Sequence, residues 1–67
     1  MQAHLHSHAR RLIELRIAHA DLDASVDHLA RSAVPDELLL RRLKKRRLGL
    51  RDEIARLERL LEPQEPA

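Results

Sequence analysis

Apolar positions in the first half of the chain fall at Leu5, His8, Leu12, Leu15, His19, Leu22, Val26, Leu29 and Ala33, if the two histidines are counted as seam positions. The steps between them alternate 3 and 4 without a break. That is the heptad stripe of a helix packed along a narrow seam, and it predicts a helix over about residues 3–31. A second stripe of the same kind runs through Leu40, Leu43, Arg47, Leu50, Ile54, Leu57 and Leu61. It predicts a helix over about 36–61, ended by Pro63. Gly49 lies inside this second helix and costs it ~1 kcal/mol relative to alanine.

Between the stripes stands Arg31-Ser-Ala-Val-Pro-Asp36. Pro35 disfavours helical geometry at Val34 and suits the first turn of a new helix. Asp36 and Glu37 place negative charge at the positive end of that helix's dipole. The connection, about 32–35, is too short for a linker and predicts a tight turn between antiparallel neighbours. The last residues, 63–67, carry no pattern and are expected to fray.

Folding the second helix back on the first registers the two stripes without adjustment when facing residue numbers sum to 69. Leu29 then faces Leu40, Val26 faces Leu43, Leu22 faces Arg47, and His19 faces Leu50. Leu15 faces Ile54, Leu12 faces Leu57, and His8 faces Leu61. The agreement of two independently read stripes predicts an all-α, coiled-coil-like antiparallel helical hairpin, a single domain spanning residues 1–67.

A lone hairpin leaves half of every seam residue open to water. The first helix also carries a second apolar stripe off the seam, at Ile13, Ile17, Ala20 and Ala24, and Leu38, Leu39, Leu48 and Ala55 are apolar off-seam positions on the second. Exposed aliphatic stripes of this kind mark interfaces. They predict self-association, as a homodimer or higher in a four-helix arrangement, with Ile13, Ile17, Ala20, Ala24 and Leu48 as interface residues.

Composition changes this picture little. The 67 residues include no cysteine and no aromatic residue, so the core is aliphatic and there is no disulfide framework or thiolate metal site. A chain this short buries little surface and leans on partner chains. No apolar run approaches the ~20 residues that span a bilayer, and the start MQAHLHSHARR lacks the apolar core of a secretory signal, so a cytoplasmic protein is expected.

Charge adds more. The net value of +2 hides an asymmetry: residues 41–51 carry seven positive charges and no acid, whereas 52–67 carry two positive and five negative. The block comprises Arg41, Arg42, Lys44, Lys45, Arg46, Arg47 and Arg51, and such density can contact phosphates. The charges wrap around the helix instead of lining one face, no aromatic side chain is present to stack bases, and Asp36, Glu37, Asp52 and Glu53 bracket the block. Glu37 with Arg41, and Asp52 with Arg56, have i,i+4 spacing for ion pairs. A solvated helix surface is therefore the first reading, and accessory nucleic-acid binding the second.

Besides His8, two seam positions are polar. His19 and Arg47 fall in adjacent layers, where they can snorkel from the seam edge and fix register. Asp23 and Lys44 flank the same layers as a possible ion pair. The competing reading is a proton-sensitive notch, because an imidazole titrates near neutral pH. His4 and His8 share a helix face with i,i+4 spacing beside His6. Two imidazoles are fewer than the three or four protein ligands of a zinc site, so adventitious metal binding is expected at most. No metal, cofactor or catalytic residue is assigned: one seam builds no pocket that excludes water, and Ser7, Ser25 and Ser32 have no triad-like surroundings.

His19-x-x-Leu22-Asp23-x-x-Val26 and the run LRRLKKRRLGLRDEIARL from Leu40 to Leu57 resemble the YdcH-like family of small bacterial proteins, a domain family of unknown function. That family's second segment resembles L-K-x-x-K-L-x-L-K-D-E-I. Leu43, Lys44, Leu48, Leu50, Asp52, Glu53 and Ile54 match it, and Arg47 and Arg51 stand where the family often has Lys. The likeness spans roughly residues 12–60, and the HLHSH start departs from it. It implies a helical hairpin and brings no catalytic site or ligand. The function expected is that of a non-enzymatic, homo-oligomeric protein-interaction module, with an unidentified protein partner besides the second copy.

Overall fold

A computed structural model describes the backbone of residues 2–62 and the side chains of residues 6–62. Two helices, α1 (Gln2–Ala30) and α2 (Glu37–Leu61), pack along their length as an antiparallel hairpin. The molecule measures 52 × 26 × 14 Å, so it is one helix thick.

That thinness sets the core. Leu12, Leu15, Val26, Leu40 and Leu57 are buried, yet none of the described side chains falls below 2 % exposure. All five are positions of the two seams. His8, His19, Leu22, Leu29, Leu43, Arg47, Leu50, Ile54 and Leu61 are half-buried seam positions, and the side chain of Leu5 lies outside the described residues. Leu12, Leu15 and Leu57 form one cluster, with Leu50, Ile54 and Leu61 packed against it. Val26 and Leu40, near the turn, lie outside that cluster. The Leu22–Arg47 and His19–Leu50 layers separate the two apolar ends.

Ion pairs on both flanks pin the register. Arg16 and Glu58, which directly follow the seam residues Leu15 and Leu57, meet at 2.7 Å. Arg11 and Glu53, which directly precede Leu12 and Ile54, meet at 3.6 Å on the opposite flank. Both follow from layers that sum to 69. A slip of one heptad would carry each pair ~10 Å apart. Their side chains are largely exposed, so each contributes ~0–1 kcal/mol and specifies alignment more than stability.

Both helix ends at the turn are closed by local bonds. The N–H of Arg31 reaches the carbonyls of Asp27 and His28, and that of Ser32 reaches Leu29 at 3.2 Å, a 3₁₀-like tightening that stops α1. No described residue has a positive φ, so there is no left-handed cap. α1 thus ends at Ala30, and Ala33, expected as the last seam position, is exposed in the turn. Asp36 is the N-cap of α2, its Oδ1 accepting the N–H of Leu39 at 3.0 Å. Glu37 follows in the first turn, where its charge suits the dipole. Pro35 stands just outside the helix, not in its first turn as its sequence context suggested. With the buried Leu40 it occupies the two positions of a hydrophobic staple.

Candidate functional site

α1 is apolar on two opposite faces. At ~100° per residue, Ile13, Ile17, Ala20 and Ala24 lie roughly opposite the seam. The structure leaves all four exposed, Ile13 and Ile17 at 59 % each. On α2, Leu48 is 55 % exposed and Ala55 half-buried, both again away from the seam. Leu38 and Leu39 are exposed near the turn, where Val34 joins them as the most exposed large apolar residue at 86 %. Val34 and Leu60, also exposed, lie off both 3–4 stripes, and spacing alone gave no signal for them.

The polar layers rearrange one expected pairing. Arg47 stays half-buried at the seam edge, and its Nη1 donates to Asp23 Oδ1 at 2.7 Å. Asp23 therefore pairs with Arg47 and not with Lys44. The longer, forked arginine reaches across its own layer to the residue after Leu22, while Lys44 is exposed. His19, half-buried in the next layer, has its Nε2 buried without a hydrogen-bond partner. A stranded polar atom of this kind costs ~1–3 kcal/mol.

The basic block is dispersed. Arg41, Lys44 and Lys45 line one open groove of about 390 Å³ with Glu37, Leu40 and Leu48. Arg46 borders a different groove of about 290 Å³, with Ala18, Asp21, Leu22, Ser25 and Leu50. Arg47 is committed to Asp23, and Arg42 and Arg51 are exposed. The i,i+4 pairs Glu37–Arg41 and Asp52–Arg56 do not close. Among the described residues the ion pair within one helix is Arg11–Glu14, at 4.0 Å. The hydroxyl of Ser25 donates to the carbonyl of Asp21. His6 is exposed and His8 half-buried, while the side chain of His4 lies outside the described residues. Among the described residues no three His, Asp or Glu side chains converge as metal ligands.

The family model described as "protein of unknown function (DUF465)" matches residues 12–58. The chain belongs to the DUF465 family. YdcH-like proteins are members of it, in keeping with the resemblance read from Leu40–Leu57. The DUF465 match begins at buried Leu12 and ends at Glu58, the partner of Arg16. It therefore takes in the polar layers, the exposed stripe of α1 and the basic block, and stops short of the HLHSH start. No curated protein and no solved structure matches the chain. No described helix is long and apolar enough to cross a membrane.

Proposed function

We propose that this DUF465 hairpin is a non-enzymatic protein-interaction module that acts as a homo-oligomer. The exposed stripe on the back of α1 carries this reading. Ile13 and Ile17 turn more than half of their surface to water, while the seam facing α2 is complete without them. Burying two such side chains contributes ~1.5–3 kcal/mol each, a driving force that association recovers and an isolated hairpin forgoes. The grooves on the surface are open to solvent, whereas nucleophilic catalysis needs a pocket that excludes water. A cytoplasmic setting belongs to the same proposal, for a chain with no cysteine to oxidise.

The groove lined by Arg41, Lys44 and Lys45 favours a second reading, an accessory nucleic-acid binder. Two variants separate them. Ile17→Glu is expected to abolish capture of a protein partner and to reduce the mass in solution, leaving binding to duplex DNA unchanged. Joint reversal of Arg41, Arg42 and Lys45 to Glu is expected to leave mass and partner capture intact. If that triple variant alone loses partner capture, and nuclease treatment also removes the wild-type signal, the nucleic-acid reading replaces the first. True phosphate contacts must also weaken steeply between 50 and 200 mM salt.

A further inference from the structure

The exposed stripe of α1 continues beyond its aliphatic residues. With the same alternation of 3 and 4, it reads Arg10, Ile13, Ile17, Ala20, Ala24, Asp27. All six are exposed and lie within the single helix α1. In order, the stripe is cation, large, large, small, small, anion. Among the described residues neither Arg10 nor Asp27 is in an ion pair, whereas Arg11, Arg16 and Asp23 are.

We infer that this face is a self-complementary homodimer surface, on which α1 packs antiparallel against α1 of a second copy with facing residue numbers summing to 37. The inference rests on the homo-oligomer reading and specifies its contacts. Three distinct layers result, each repeated by the two-fold axis: Arg10 on the partner's Asp27, Ile13 on the partner's Ala24, and Ile17 on the partner's Ala20. Each large side chain meets a small one, which lets the helices approach at the short end of the 8–10 Å range. Each unpaired charge meets its opposite at the two ends of the contact. A parallel arrangement would instead oppose Arg10 to itself, Asp27 to itself, and isoleucine to isoleucine.

Near the axis two residues approach their own copies, and both have a local counter-charge. Arg16 is already held by Glu58 at 2.7 Å, and Asp21 borders a groove with Arg46. The contact from Arg10 to Asp27 is ~26 Å long, one helix against one helix. It falls at the small end of specific interfaces, below ~1,200 Å², so the dimer is reversible and concentration-dependent. Isologous symmetry closes it at two chains.

Sedimentation equilibrium on the full chain tests the pairing. Arg10→Asp and Asp27→Arg each replace two attractive contacts with two repulsive ones, and each is expected to weaken the dimer about tenfold. The double exchange Arg10→Asp/Asp27→Arg restores the wild-type dissociation constant, and so does an equimolar mixture of the two single variants. Both positions are exposed on the face away from α2, so helicity by circular dichroism stays at the wild-type value and excludes unfolding as the cause. A wild-type dimer that the single reversals leave unchanged, or that the double exchange fails to restore, overturns the pairing while the homo-oligomer reading stands. A wild-type chain that keeps the mass of one protomer at all concentrations overturns both.

Discussion

Replacing His19 with leucine is expected to stabilise the hairpin. The imidazole sits half-buried in the layer that faces Leu50, and its Nε2 is shut off from water with no partner. Removing such an orphaned group recovers part of its ~1–3 kcal/mol desolvation cost. A leucine there would join the Leu12–Leu15–Leu57 cluster, against which Leu50 already packs. Half-burial limits the gain, so the net stabilisation is about 1–2 kcal/mol. For a chain of this size that corresponds to roughly 4–15 °C in Tm. Urea unfolding followed by circular dichroism measures it. Wild type and His19→Leu must be compared at one protein concentration, because association makes apparent stability concentration-dependent. The expected result is a higher midpoint with an unchanged m-value and an unchanged mass in solution. A lower midpoint would refute the reasoning, since it would mean that the imidazole makes a favourable contact in the folded chain. A changed mass would show instead that the polar layer selects the assembly state.

Three further outcomes follow from the same geometry. Gly49→Ala is expected to raise stability by ~1 kcal/mol, because an added Cβ at this helical position meets nothing within 4 Å; urea unfolding checks it. Asp36→Ala, which removes the acceptor for the Leu39 N–H, is expected to cost ~1 kcal/mol in the same assay. Leu15→Ala, at a site only 3 % exposed, is expected to cost ~2–5 kcal/mol and to leave the chain largely unfolded at 25 °C, read as lost ellipticity at 222 nm.

The hairpin and its register were legible in the sequence because one rule, apolar spacing of 3 and 4, applied to both helices and the turn chemistry agreed with it. Every seam position with a described side chain except Ala33 is at least half-buried. Ala33 failed because the end of α1 is set by backbone bonds at Arg31 and Ser32, which spacing does not encode. Flank position alone makes Lys44 a possible partner of Asp23, but side-chain reach decides the pairing. Arg47 can keep its stem in the seam and carry its fork to the carboxylate. The pairs Glu37–Arg41 and Asp52–Arg56 had the right spacing and did not form, as the small gain from exposed i,i+4 pairs permits. The basic block appeared as a unit in the sequence because its members are consecutive. Helical geometry then distributed them among two grooves, the seam edge and the open surface.

The two faces of α1 divide the work in this account. The seam face folds the chain, and the opposite face, from Arg10 to Asp27, is the one proposed to join it to a second copy. Sedimentation equilibrium of the wild-type chain across a concentration series from the micromolar to the millimolar range, with Ile17→Glu run alongside, tests that division directly. Expected is a wild-type mass rising from the 7.8 kDa of one chain to twice that value, with Ile17→Glu remaining at one chain and equally helical. A wild-type mass of 7.8 kDa throughout, or an Ile17→Glu variant that associates as the wild type does, would contradict it.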